Sequence, residues 1–251
     1  MNKILIIPDI HGRTFWKDAI DKHLNECDKV IFLGDYLDRY EDEEISRKQE
    51  KGNFEEIIKL KQDNPDKVVL LIGNHDEHYI APSFTRSTRY SSSNARSYRE
   101  NFLSHMSFFN IAHEETINDK KYLFTHAGVM KSWYERNKES IGGLTVENLN
   151  KLKGYSGGVS ILGEISKYRT WFGEETGSPL WSDIAEKISD ESNIDNVIPN
   201  DDSVVDEYDY QIFGHTRLHH ELITDKWACL DCRKAFILDD DGNLIEAYKK
   251  D

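Results

Sequence analysis

Three short apolar runs near the start of the chain each stop at a cluster of polar residues of metal-ligating type. Residues 3–8 (KILIIP) run into Asp9-Ile10-His11-Gly12, and residues 29–33 (KVIFL) into Gly34-Asp35-Tyr36-Leu37-Asp38-Arg39. Residues 67–72 (KVVLLI) run into Gly73-Asn74-His75-Asp76-Glu77. The runs are rich in β-branched residues and do not alternate with polar ones, which marks strands buried on both faces of a parallel sheet. Between them, residues 14–24 have helical spacing with Thr14 in N-cap position. Residues 43–62 form a charged amphipathic stretch with Gly52 as its weak point, stopped by Asn64-Pro65. The order β-α-β-α-β implies right-handed crossovers. Ligands bind outside the carboxyl ends of the strands in such sheets, so the three clusters are expected to converge.

The rest of the chain is less regular. Residues 121–125 read as a strand ending at Thr125-His126-Ala127-Gly128, and residues 210–213 as a strand ending at Gly214-His215-Thr216. Further β patterns follow at 221–224, 227–230, 235–238 and 244–248, the last two flanking the hairpin signal Asp240-Asp241-Gly242-Asn243. Residues 78–99 hold four arginines and no acidic residue, and read as a long loop with one helical turn, whose arginines, Arg86 and Arg89 among them, are candidates to help capture an anionic substrate. No stretch reads as an interdomain linker. A single domain over 1–251 is expected, with inserted loops at about 78–110 and 140–209.

Carboxylate and amide oxygens with imidazole nitrogens suit manganese, iron or zinc. A carboxylate can bridge two such ions, and two ions roughly 3.5–4 Å apart can clamp an in-line displacement at phosphorus. Each cluster alone has an ordinary explanation: Gly-Asp at a strand end is commonly a turn, and a lone histidine is commonly packed in the core. Five clusters in order, each at the end of a predicted strand, have no such explanation.

This ordered set resembles the calcineurin-like metallophosphoesterase superfamily, and within it the phosphoprotein phosphatase branch with its small bacterial and phage-type members. PDIHG, GDYLDR, GNHDE, THAG and GHT stand where that branch carries its motifs, and Pro179-Leu180-Trp181-Ser182-Asp183 resembles its L-W-S-D segment. The resemblance implies an α/β fold, a four-layer α-β-β-α sandwich of two mixed β-sheets flanked by helices. It implies two divalent ions, manganese first, that activate water for in-line attack on a phosphomonoester. Asp9, His11 and Asp35 would hold one ion, with Asp35 bridging; Asn74, His126 and His215 would hold the other. His75 would be the general acid, Asp38 would orient it, and Arg39 would grip phosphate. A second substrate arginine is expected at Arg169, with Arg217 as rival. Pro8 and Tyr40 depart from the pattern by replacing glycines, and Arg217 stands where the diesterases of the superfamily carry a second histidine. The departure at 217 favours monoester chemistry.

The implied enzyme is a metallophosphoesterase acting on phosphoserine or phosphothreonine of proteins. A nucleotide hydrolase acting on a dinucleoside polyphosphate or related compound is the alternative, with Tyr79, Tyr90, Tyr98 and Trp181 as candidate base-stacking residues. A non-catalytic scaffold of the same fold is a remote third reading.

Composition narrows the partners. The 32 Lys+Arg and 46 Asp+Glu give a formal net charge of −14, which argues against a basic coat for nucleic acid and against a polybasic membrane surface. The charge is uneven: residues 183–209 hold ten acidic residues against Lys187. Three cysteines do not make a disulfide framework, and Cys229-x-x-Cys232 reads as two strand-end thiols rather than zinc ligands. No signal sequence or apolar span is visible, so a cytoplasmic protein is expected.

Overall fold

The structure, a computed structural model, describes residues 3–81, 87–153, 161–165, 176–185 and 201–247. The described residues form two compact units. The fold is α/β, with two mixed sheets and flanking helices.

The first unit contains residues 3–81, 87–110 and 233–247. Its strands β1 (Ile4–Ile7), β2 (Lys29–Phe32), β3 (Val68–Leu71) and β4 (Phe109–Asn110) are parallel neighbours. In the second unit are β5 (Ala112–Ile117), β6 (Lys120–Thr125), β7 (Tyr210–Phe213), β8 (Leu222–Ile223) and β9 (Trp227–Cys229). The chain then returns to the first unit with β10 (Phe236–Leu238) and β11 (Leu244–Glu246), an antiparallel hairpin. That hairpin extends the first sheet to the order β11-β10-β1-β2-β3-β4, through an antiparallel β10–β1 pairing. Its turn is held by Asp239, whose carboxylate accepts from Asp241 N and Asn243 N, as the Asp-Gly signal predicts.

Helices α1 (Phe15–His23) and α2 (Arg47–Asp63) fill the first two crossovers. Thr14 stands at the N-cap of α1 but its side chain makes no cap bond. The start of α2 is set by a capping box between Ser46 and Gln49, and Gly52 does not break it. Phe54 on α2 joins Tyr36, Phe102 and Phe109 in an aromatic cluster with centroid spacings of 4.7–6.2 Å. Each such pair adds about 0.5–1.5 kcal/mol beyond its burial. Tyr36 belongs to the second motif, so this packing also anchors the loop that carries Asp35. Its hydroxyl donates to Leu71 O at 2.8 Å.

The expectation for 78–99 needs correction. The third motif opens α3 (Asn74–Ile80), and α4 (Ala95–Ser104) follows. Tyr98 and Phe102, one turn apart, are buried and hold α4 in place. In the second unit, α5 (Lys131–Ile141) and α6 (Val146–Lys151) cover part of the stretch expected as loop from 140. The second sheet has the order β5-β6-β7-β9-β8, with parallel pairing at its centre and antiparallel strands at both edges.

Candidate functional site

In the first unit, the three motif loops are stitched together by backbone bonds before any side chain is considered. Ile10 N and His11 N both donate to Asp35 O, at 3.1 and 2.7 Å, and Gly12 N donates to Tyr36 O at 3.0 Å. Gly34 and Gly73 meet back to back. A Cβ on Gly34 would lie 2.5 Å from Gly73 N, and one on Gly73 would lie 2.1 Å from Asp35 Oδ1. Only glycine permits this approach, so the second and third motif loops must share it. The buried carboxylate of Asp76 completes the junction by accepting from Gly73 N (2.8 Å), Asp35 N (2.8 Å) and Tyr36 N (3.0 Å). Burial and the neighbouring Asp35 push its carboxyl up, while these three donors pull it back. Asp76 is a residue that sequence reasoning left without a role. Its position three residues after an N-cap glycine was the available signal.

The junction presents Asp9, His11 and Asp35, all buried, at the carboxyl ends of β1 and β2. Asp9 and Asp35 offer carboxylate oxygens within 4.8 Å of each other. His11, Asp35 and His75 form a second close group. His11, Asp35 and Asp38 adopt left-handed backbone, with φ of 45°, 54° and 61°. Non-glycine residues pay strain there, and such strain concentrates at functional sites. His11 Nδ1 donates to Leu37 O at 2.8 Å, which fixes the tautomer and leaves Nε2 as a lone-pair donor, 3.4 Å from Asp35 Oδ2. Burial pushes the His11 imidazole well below its usual value despite Asp35, so it is neutral, as a metal ligand must be. Asn74, buried, is the first residue of α3, and His75 N donates to Asp35 Oδ1 at 2.9 Å.

Beside this group lies a second network. Asp38 Oδ2 is 2.9 Å from His75 Nδ1 and 2.9 Å from His78 Nε2, and Asp38 Oδ1 accepts from Tyr79 OH at 2.6 Å. Burial opposes ionisation of Asp38, but its bonds to His75 and His78 outweigh that and hold the carboxyl below its usual range. Ser87 Oγ bridges His75 Nδ1 and His78 Nδ1, at 2.9 and 2.7 Å. His78 and Ser87 were not identified from sequence. His78 was legible only as the residue that directly follows the third motif, one helical turn after His75.

Arg39 N donates to the buried Glu50 at 2.8 Å, and Arg39 Nε is buried without a hydrogen-bond partner among the described residues. Neither Asp38 nor Glu41 forms an ion pair with it among the described residues. Arg89, from the arginine-rich segment, reaches into the same network. Tyr79 and Tyr98 are buried with their hydroxyls committed to Asp38 and Glu50, and Trp181 is buried. Those three are therefore packed residues, not open platforms for a base. Tyr90 stacks on Tyr79.

In the second unit, β6 and β7 are adjacent and parallel, so the loops after them place His126 beside His215. His126 Nε2 is 3.2 Å from His215 Nδ1, and Gly214 N donates to His126 O at 2.8 Å. Two imidazole nitrogens this close need a proton or a cation between them. The L-W-S-D segment supports this pair: Ser182 Oγ donates to Ala127 O and to Gly128 O, and Trp181 packs edge-on to His215. Cys229 Sγ donates to Gly214 O at 3.2 Å, so it is a packing thiol at the strand end, as expected. Arg217 follows the pair in sequence and is partly buried; Arg169 and Arg86 lie outside the described residues.

Both units therefore offer donors of the kind that hold divalent cations: carboxylates and an imidazole of fixed tautomer in one, facing imidazoles in the other. No curated protein sequence matches the chain. Among solved structures, it is similar to a cold-active protein-tyrosine phosphatase of a psychrophilic Shewanella species, at 17% identity and a TM-score of 0.60, covering 99% of this chain and 81% of that one. It is also similar to a protein serine/threonine phosphatase from Saccharomyces cerevisiae, at 15% identity and a TM-score of 0.56, covering 98% of this chain and 78% of that one. At these identities the likeness is one of fold. The sequence model of the calcineurin-like phosphoesterase domain matches residues 2–217, which include all five motifs and both donor groups. The chain thus belongs to the calcineurin-like phosphoesterase family, hydrolases of phosphoester bonds.

Proposed function

We propose that this protein is a phosphomonoester phosphatase with phosphoserine and phosphothreonine residues of proteins as its substrates. The observation that carries the reading is the buried His75–Asp38 couple at 2.9 Å, with the His75 ring centroid 5.0 Å from that of His11. An imidazole held by a carboxylate at one nitrogen offers the other to a leaving oxygen, and the carboxylate stabilises the ring while it carries the extra proton. Asp9, His11, Asp35, Asn74, His126 and His215 would hold two divalent ions, with manganese as first choice. Such ions supply Lewis acidity and a bound water acidified toward neutrality.

The chain's own residues supply the rest. Arg39, with no carboxylate partner among the described residues, binds nonbridging phosphate oxygens through its planar fork. Asp38 fixes the tautomer and direction of His75. The two proteins of similar fold are a protein-tyrosine phosphatase and a protein serine/threonine phosphatase, which supports a phosphoprotein over a nucleotide. The commitment of Tyr79 and Tyr98 to internal hydrogen bonds points the same way. The test is a screen of the Mn²⁺-supplemented protein against phosphopeptides and a nucleotide panel, with Asp35→Asn as blank. Turnover of phosphoserine and phosphothreonine peptides, lost in the blank, is expected. Turnover confined to dinucleoside polyphosphates would overturn the substrate assignment.

A further inference from the structure

Arg89 lies in none of the family motifs, yet its guanidinium sits at the centre of the first unit's site. Its Nη2 is 3.4 Å from His11 Nε2 and 3.3 Å from His75 Nε2. It therefore stands between a ligand nitrogen and the nitrogen assigned to the leaving group. Its Nε donates to Asp38 O at 2.9 Å, and its Cζ lies 3.8 Å over the ring of Tyr40. One contact fixes the fork in its plane and the other fixes the face. The backbone is held too: Arg89 has φ 65°, a left-handed conformation that a non-glycine residue adopts only under strain. Its carbonyl accepts from Arg47 Nη2 at 3.5 Å, and the flanking residues Ser87 and Ser91 bond to His75, His78 and Tyr79.

The charge is what makes this placement informative. Arg13, Arg47 and Arg96 each pair with a carboxylate, at Glu43, Glu50 and Glu100. Arg89 forms no ion pair among the described residues. It spends its donors on a carbonyl and on two imidazoles at long range. A half-buried guanidinium gains most from an anion with several oxygens, through short charge-assisted bonds. Tyr40, which departs from the family pattern by replacing a glycine, is explained by the same placement: it is the platform on which Arg89 stacks.

We propose that Arg89 is a substrate-binding residue of this site, the second phosphate-gripping arginine in place of Arg169 or Arg217, and that with Tyr40 as its positioning residue it selects the dianionic phosphate of a monoester over the monoanionic phosphate of a diester. A monoester presents three nonbridging oxygens and two charges, whereas a diester presents two oxygens and one charge. Loss of one positive fork therefore weakens the monoester more. The inference rests on the phosphomonoester reading above, and its experiment separates the two.

Mn²⁺-loaded wild type, Arg89→Ala, Arg89→Lys and, as charge control, Arg96→Ala are compared in two assays. Arg96 is fully exposed and bonded to Glu100, so its loss removes the same charge away from the site. The first assay is calorimetric binding of inorganic phosphate, with metal content measured on each protein. Arg89→Ala is expected to bind phosphate about 10- to 100-fold more weakly with metal content unchanged, Arg89→Lys to fall between, and Arg96→Ala to match wild type. The second assay is kcat/KM on p-nitrophenyl phosphate and on bis-p-nitrophenyl phosphate. The monoester is expected to fall about 100- to 1,000-fold in Arg89→Ala and the diester less than about tenfold. Tyr40→Ala should reproduce part of the loss and Tyr40→Phe, which keeps the ring, should restore it. Unchanged phosphate affinity, loss of metal with the arginine, or equal loss on both esters overturns the proposal. If wild type turns over neither ester, the functional reading fails, and the phosphate titration still decides whether Arg89 binds the anion.

Discussion

Replacing His75 by Asn isolates the proton donor from the rest of the site. The substitution removes the imidazole whose Nδ1 lies 2.9 Å from Asp38 Oδ2. Asp38 does not become an orphan, because Tyr79 OH still donates at 2.6 Å and His78 Nε2 remains at 2.9 Å. The stability cost is therefore that of one hydrogen bond to a charged group, about 1.5–3 kcal/mol, plus about 0.5–1.5 kcal/mol for the lost contact with Ser87 Oγ. The catalytic cost is larger and depends on the leaving group. General acid catalysis contributes about 10²–10⁴ in rate, or about 2.7–5.4 kcal/mol at 1.36 kcal/mol per decade. An alkyl oxygen of the phosphoserine kind cannot leave without a proton, so kcat on a phosphoserine peptide should fall by that factor. A nitrophenolate leaves as the anion, so the loss on p-nitrophenyl phosphate should be tenfold or less. Steady-state kinetics on both substrates, with metal content and urea midpoint as controls, reads the difference directly. Equal losses on the two esters would refute the assignment of His75 as proton donor, and loss of metal would mean that the ring ligates instead.

Two other changes test the scaffold. Gly34→Ala would place a methyl 2.5 Å from Gly73 N and 2.8 Å from Gly73 Cα, on backbone at φ +108°. Strain of about 1–3 kcal/mol and overpacking of similar size predict a loss of about 2–6 kcal/mol, read from the urea midpoint; an unshifted midpoint contradicts the close contact of the two loops. The depressed carboxyl of Asp38 contributes stability that is full above the ordinary carboxylate value, about 3.9, and is lost as pH falls through the lower folded value. Acid unfolding should therefore be shallower below about pH 4 in Asp38→Asn than in wild type, and identical slopes would remove Asp38 from the acid response.

The parts of this protein that the sequence announces are those where one local signal suffices. Continuous apolar runs mark β1, β2 and β3 because both faces are covered, and the charged amphipathic stretch marks α2, although the Ser46–Gln49 capping box starts it later than residue 43. The strand β5, Ala-His-Glu-Glu-Thr-Ile, was missed because it is an edge strand whose sides alternate between core and solvent, so no apolar run exists. Its hairpin with β6 turns through Asn118 and Asp119, both at positive φ, a signal that was readable. The helix α4 was missed because only Tyr98 and Phe102 are buried in a stretch otherwise polar. Of the site, the motif residues were legible by order alone. His78, Ser87, Asp76 and the placement of Arg89 were not, because each acts through a contact made only when a later segment folds back on an earlier one.

The pairing of β1 with β10 sets a rule for how the first sheet can be assembled. Ile4, Leu5 and Ile6 find their partners at Leu238, Ile237 and Phe236, so one edge of β1 stays open until residues 236–238, more than 200 positions later, have been made. The bonds that link the loops after β1, β2 and β3 involve only residues 10–76 and need no such wait. A nascent chain can thus build its ligand loops long before it can close the edge beside them. During that interval a strand of four buried aliphatic residues presents an unpaired backbone, the type of edge that templates association with other chains. A chain cut between β9 and β10 would keep every motif of the family and lose the hairpin that caps this edge. Its characteristic defect would therefore be aggregation rather than a missing catalytic group.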